Sequence, residues 1–157
     1  MSIVLYRIDD RLVHGQVVIG WGRPLGTEFI VLVDPEVSGS EWEQDLYRMA
    51  VPRSVDIIFA DVEEARRRLP EWQADRRRGM LLTGTVAAMA AVCQGGTGIP
   101  KINLGGIHHR PGRRQRLPYV FLTDDEYQTL IDLQQQGSKI VAQDVPTAKA
   151  VGLDDLA

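Results

Sequence analysis

Arg7, Asp9, Asp10, Arg11 and His14 fall within one short segment, Arg7-Ile8-Asp9-Asp10-Arg11-Leu12-Val13-His14-Gly15-Gln16-Val17. Two guanidinium groups, two carboxylates and an imidazole at this spacing suit phosphoryl chemistry. An imidazole nitrogen is a competent nucleophile toward phosphorus, and phosphoryl transfer asks a protein chiefly for positioning and for positive charge around the oxygens. A lone histidine is more often a satisfied structural residue. Here Gly15 follows directly and lets the backbone approach a ligand, Arg11 stands three residues earlier, and Arg7 closes the preceding apolar run. Asp9 and Asp10 have two compatible readings: Asx-type bonds and ion pairs that hold Arg7 or Arg11, or a carboxylate that orients one ring nitrogen and leaves the other to attack. A metal site built from Asp9, Asp10 and His14 is not expected, because Arg7 and Arg11 would repel a cation and no second histidine or cysteine stands at ligand spacing.

The elements that must position these groups are short and regular. Ile3-Val4-Leu5-Tyr6 reads as a strand and Gln16 to Trp21 as a helix stopped by Pro24, which puts the polar segment in the loop between them, where open α/β sheets bind anions. Further strands are expected at Phe29 to Val33, Val55 to Phe59, Met80 to Leu82, Lys101 to Leu104, Tyr119 to Leu122 and Lys139 to Ala142. Between them lie a helix from Glu41 to Ala50 capped by Ser40, one from Asp61 to Leu69 ended by Pro70, and an Ala-rich helix 86–93 followed by a Gly95-Gly96 turn. A helix from Asp124 to about Gln135 is capped by Thr123 and ended by Gly137, and a short last helix falls near Ala148 to Val151. This alternation predicts an α/β domain with a mostly parallel sheet and helices on both faces. The polar stretch 105–118 shows no helical pattern, so one edge strand is expected to run antiparallel.

Other segments carry weaker signals. Gly105-Gly106 and His108-His109 precede Arg110-Pro111-Gly112-Arg113-Arg114-Gln115-Arg116, and their place after a strand puts them at the same sheet edge as His14, where they would add cationic charge. Thr83-Gly84-Thr85 is a small anion-friendly turn, so Thr83, Gly105, Gly106 and His108 are candidates for the rim of the site. The Gly-x-x-x-x-Gly-Lys-Ser/Thr pattern is absent, no nucleotide site is visible, and no cofactor is expected. Cys93 reads as a small buried apolar residue. With 157 residues, 44% of them hydrophobic, the expectation is one domain over 1–157. The net charge of −3 argues against nucleic acid, and no apolar run is long enough to span a membrane, so a cytoplasmic protein without membrane insertion is expected. No exposed apolar stripe is evident that would demand a homodimer, although a dimer is compatible with the sequence.

The segment from Arg7 to Val17 resembles the phosphorylation-site loop of the enzyme IIB component of the mannose/fructose/sorbose family of bacterial sugar phosphotransferase systems. A second block, Ile102-Asn103-Leu104-Gly105-Gly106-Ile107 through Arg113-Arg114-Gln115, is similar to that family's Asn-hydrophobic-Gly-Gly segment and its basic-Gln stretch, and the likeness covers nearly the whole chain. The resemblance implies a single doubly wound domain with a largely parallel sheet of about seven strands. It also implies that His14 is the phosphohistidine intermediate. His14 would take a phosphoryl group, on Nδ1, from a phosphorylated IIA protein, expected here to be a separate chain, and pass it to a sugar taken up by the membrane IIC/IID permease. In that role Arg11 balances phosphate charge, Asp9 fixes the ring, amides around His14, Gly15 and Gln16 bind oxygens, and Arg7 contributes more weakly. The protein would sit at the cytoplasmic side of its permease. A stand-alone regulatory phosphohistidine module, signalling carbon or nitrogen state without transport, would need the same loop. Two departures stand out: Thr83-Gly84-Thr85-Val86 replaces a Phe-Glu/Asn-Asn-Pro-like turn, and His108-His109 replace a Met and a small or polar residue.

Overall fold

Apolar runs rich in β-branched residues form the strands, and the side chains along them alternate between two cores. In a computed structural model describing residues 2–94 and 98–157, β1 (Ile3–Ile8), β2 (Phe29–Val33), β3 (Asp56–Ala60), β4 (Gly79–Thr83), β5 (Lys101–Leu104), β8 (Lys139–Ala142) and β9 (Val151–Gly152) make one sheet of order β3-β2-β4-β1-β5-β8-β9. Every pairing in it is parallel except β8 with β9. In β2, Phe29, Val31 and Val33 face one core while Ile30 and Leu32 face the other, the period of two that a strand buried on both sides requires. The first core is closed by α4 (Val62–Gln73), α5 (Val86–Cys93) and α6 (Asp124–Gln135) through Leu69, Trp72, Met89, Val92 and Leu130. The second is closed by the π-helical turn Gln16–Gly22, α1 (Arg23–Leu25), α2 (Pro35–Ser38) and α3 (Glu41–Ala50). Helices therefore cover both faces of a doubly wound sheet, and β1 lies in its middle with β4 and β5 as neighbours.

Several elements end where tertiary packing, rather than local signals, places the boundary. The first helix does not stop at Pro24: Gly22 and Arg23 keep right-handed helical geometry, and the chain leaves only at Gly26, whose φ of 65° is left-handed. Pro24 sits in the first turn of α1, where an N–H would have no helical partner. Pro70 likewise lies inside α4, which continues to Gln73 because Leu69 and Trp72, both fully buried, are held on one face by that last turn. Ser40 precedes α3 without a side-chain cap bond, whereas Asp34 caps the unanticipated α2 by accepting from the Val37 amide at 3.0 Å. The expected last helix near 148–151 is replaced by β9 and a 3-10 turn at Leu153–Leu156, whose Leu153 and Leu156 are buried. The Gly95-Gly96 turn lies outside the described residues.

The segment Tyr119 to Leu122 does not enter the main sheet. It becomes β7 (Val120–Leu122), which pairs antiparallel with β6 (Arg114–Leu117) in a separate two-stranded ribbon. The place beside β5 goes to β8, which α6 returns in the parallel sense, so β9 is the antiparallel edge strand. α3 also exposes an apolar stripe that the sequence reading misses: Trp42, Leu46 and Met49, spaced by four and three residues, all stand open to solvent. No helix of the described residues is long and apolar enough to cross a membrane.

Candidate active site

The loop after β1 is stitched to both neighbouring strands at the carboxyl edge of the sheet. The Asp9 amide donates to the Thr83 carbonyl and the Asp10 amide to the Gly106 carbonyl, each at 2.9 Å, and the Gly105 amide donates to the Ile8 carbonyl at 2.7 Å. The chain then reverses through Leu12, whose φ of 57° is left-handed and uncommon for a branched residue. Its side chain is buried in the second core, and a Cβ on Gly84 would stand 3.0 Å from Leu12 Cδ2. Gly84 therefore makes room for Leu12. Thr83 is fully buried with its hydroxyl donating to the Thr85 carbonyl, and Thr85 caps α5, so this turn does not offer Thr83 as a rim ligand.

Asp9 is the hub of the polar cluster and has no exposed surface. It accepts from Arg7 Nη2 at 3.2 Å, from the Arg11 backbone amide at 3.1 Å, from Arg11 Nε and Nη2 at 3.2 and 3.3 Å, and faces His14 Nε2 at 3.3 Å. Burial alone would raise its pKa, but hydrogen bonds from His14 and Arg11 and the charge of Arg7 outweigh that and hold the carboxyl far below the usual range. Asp9 occupies His14 Nε2 and leaves Nδ1 without a hydrogen bond among the described residues. The imidazole is 19% exposed, so it is reachable but not free.

The two arginines, of which the sequence made Arg11 the stronger phosphate partner and Arg7 the weaker, stand in different settings. Arg7 is completely buried; it donates to Asn103 Oδ1, to the carbonyls of Gln143 and Asp144 at 2.8 and 2.9 Å, and stacks 4.9 Å from the centre of the Trp21 ring. Burial lowers its pKa and Asp9 opposes that shift. Arg7 thus lies beneath the loop and braces Asp9, which leaves no open guanidinium edge for a phosphate. Arg11 is partly exposed, spends Nε and Nη2 on Asp9 with Asp144 Oδ1 at 3.8 Å, and keeps Nη1 unbonded among the described residues. The glycine pair of the second block serves these side chains: a Cβ on Gly105 would overlap the Arg7 guanidinium, and one on Gly106 would stand 3.3 Å from Arg11 Nη2.

Gly15 and Gln16 are exposed at the start of the π-helical turn, where the first N–H groups of a helix have no internal acceptor. Asp10 turns away from this cluster and binds His108 through both the backbone amide and Nδ1, each at 2.7 Å. His108 is thus tied to Asp10, while Gly105 and Gly106 are buried against the arginines. Sequence reasoning missed Asn103, Trp21, Gln143 and Asp144 as partners of the arginines. Only Asn103 carried a signal, a polar side chain within an apolar strand. Among the described residues no group of three or more His, Cys, Asp or Glu is arranged to hold a metal ion.

A doubly wound α/β domain with an ionic cluster at the carboxyl edge of its central strand is the class that this fold and site define. The family model for the PTS system sorbose subfamily IIB component matches residues 3–157. The chain is 31% identical over 157 residues to the sorbose-specific EIIB component of Klebsiella pneumoniae, covering 99% of this chain and 94% of that one. It is 30% identical over 152 residues to the N-acetylgalactosamine-specific phosphotransferase enzyme IIB component 2 of Escherichia coli, covering 97% and 96%. The crystal structure of the IIB domain of the sorbose permease from Klebsiella pneumoniae superposes with a TM-score of 0.90 at 28% identity, covering 99% and 96%. The protein belongs to the sorbose subfamily of phosphotransferase-system IIB components, and its role lies in that sugar transport system.

Proposed function

We propose that His14 carries a phosphoryl group on Nδ1 between a phosphorylated IIA protein and a sugar delivered by a membrane IIC/IID permease, with residues 1–157 acting as one IIB domain at the cytoplasmic face of that permease. The observation that carries this reading is the 3.3 Å approach of Asp9 to His14 Nε2, which fixes the ring and reserves Nδ1 for attack. In the first step the donor N–P bond breaks as the Nδ1–P bond forms. In the second, a sugar hydroxyl forms an O–P bond, Nδ1 leaves as neutral imidazole, and the hydroxyl proton is released. Arg11 supports both steps because its guanidinium is held by Nε and Nη2 on Asp9, which leaves the N–H groups of Nη1 as donors for phosphoryl oxygens that come to that edge. The amides of Gly15 and Gln16 add donors on the side of the helix start. Arg7 acts through Asp9 rather than on the phosphate.

The test is incubation with phosphoenolpyruvate, the general phosphotransferase proteins and a IIA donor, followed by recovery of the labelled peptide. An acid-labile, base-stable phosphate on His14, absent from His14→Gln, is expected. Recovery of the wild-type label only on peptides that lack residue 14 would overturn the reading.

A further inference from the structure

The consecutive aspartates Asp9 and Asp10 each hold an imidazole, but by opposite ring nitrogens: Asp9 faces Nε2 of His14, and Asp10 faces Nδ1 of His108. An exposed histidine ordinarily samples several rotamers. His108, with 69% of its side chain exposed, is nonetheless fixed at three atoms. Its amide donates to Asp10 Oδ2 at 2.7 Å, its Nδ1 lies 2.7 Å from Asp10 Oδ1, and its carbonyl accepts from Arg113 Nη1 at 3.0 Å. The clamp is anchored at both ends. The Asp10 amide is bonded to the Gly106 carbonyl, and Arg113 forks onto Glu126 at 3.0 and 2.9 Å, where Glu126 closes the capping box of α6.

With Nδ1–H donating to Asp10, the lone pair of His108 lies on Nε2, which forms no hydrogen bond among the described residues. A carboxylate behind an imidazole fixes the tautomer and orients the ring, so that the lone pair of the distal nitrogen is presented to solvent. Positive charge is at hand: Arg11 lines the same cleft as His108, and Arg110 and Arg114 of the same segment are exposed. These are the requirements for a nitrogen that receives a phosphoryl group: nucleophilicity, access, and cations to balance the incoming oxygens.

We propose that His108 is a second phosphoryl-acceptor site of this chain, modified on Nε2 by N–P donors. The site places the chemistry assigned above to His14 on a different carboxylate and imidazole, Asp10 and His108, although Arg11 borders both, and it does not rest on that assignment. In the step, the N–P bond of the protonated donor breaks, the His108 Nε2–P bond forms, and the donor nitrogen takes the N–P electron pair and leaves as a neutral base with the proton it already carried; Nδ1–H stays on Asp10 and nothing is oxidised or reduced. His109 is a built-in control. It is adjacent and exposed, but among the described residues it has no carboxylate behind it, and it meets Phe121 edge-on with ring centres 5.7 Å apart.

The test uses phosphoramidate, which needs no partner protein and releases ammonia. The whole chain is treated at mildly alkaline pH, and the products are read by phosphorus NMR, which separates Nδ1- from Nε2-phosphohistidine, and by peptide mapping. The expected result is an Nε2 product on His108 forming about tenfold or more faster than any on His109. His108→Gln should remove it with labelling of His14 unchanged, His109→Gln should leave it intact, and Asp10→Asn should slow it toward the His109 rate. Equal rates at His108 and His109, or a His108 rate unaffected by Asp10→Asn in a variant that still folds by circular dichroism, would overturn the proposal. Loss of the Nδ1 product on His14 alone would bear on the other reading only.

Discussion

Asp9 and Asp10 are neighbours in sequence and opposites in setting. Asp9 has no exposed surface and gathers two arginines and a histidine around one carboxylate, whereas Asp10 is 15% exposed and clamps a histidine that itself faces solvent. In the first region burial makes every partner obligatory, because a charge left alone there has no water to turn to. In the second, water can replace a lost bond, so the same residue types fix a conformation without carrying much of the stability.

The sharpest way to break this contrast is to neutralise each aspartate in turn. Asp9→Asn strands Arg7 in the core and is expected to lower unfolding stability by about 3–5 kcal/mol in urea titration. Asp10→Asn leaves His108 hydrated and should cost no more than about 1 kcal/mol. Equal losses would mean that burial is not what separates the two sites.

The glycine pair sharpens the same contrast on a smaller scale. Gly105→Ala drives a Cβ into the guanidinium of fully buried Arg7 and is expected to destabilise by about 1–3 kcal/mol. Gly106→Ala presses on Arg11, which is partly exposed and can shift, so its loss should be the smaller of the two in the same titration.

Acid offers the mildest probe. The Asp9 carboxyl titrates in the folded protein below its unfolded value of about 3.9, so its contribution is complete above that pH and drains away as the pH falls toward the folded value. Burial would raise the Glu126 pKa, but bonds from Arg113 and Thr123 lower it, so it adds a second share of the same sign. Thermal unfolding from pH 6 down to pH 3 should therefore show falling stability, and Asp9→Asn should flatten the slope while keeping the part due to Glu126. An unchanged slope in that variant would show that Asp9 is not the main acid-sensitive group.

Much of the site was legible because its residues are contiguous. Arg11, Asp9 and His14 lie within six positions, so a strand, a loop and a helix start were enough to bring them together. Arg7 was misjudged because its role depends on what meets it from 96 and 136 residues away, Asn103 and the Gln143 carbonyl. Thr83 differs from the expectation for a similar reason: it is buried between Ile8 of β1 and Val33 of β2, strands that come from other parts of the chain, and its hydroxyl is spent on the Thr85 carbonyl.

By itself, the sequence determined the alternation of strands and helices, the parallel sheet buried on both faces, and the loop that holds His14, since period, caps and breakers act over a few residues. Tertiary structure alone decided that β9 rather than Tyr119 to Leu122 takes the antiparallel edge, that α4 runs through Pro70, and which aspartate serves which histidine. Those outcomes turn on which distant surfaces are buried against one another, and desolvation is a property of the assembled chain rather than of any stretch within it.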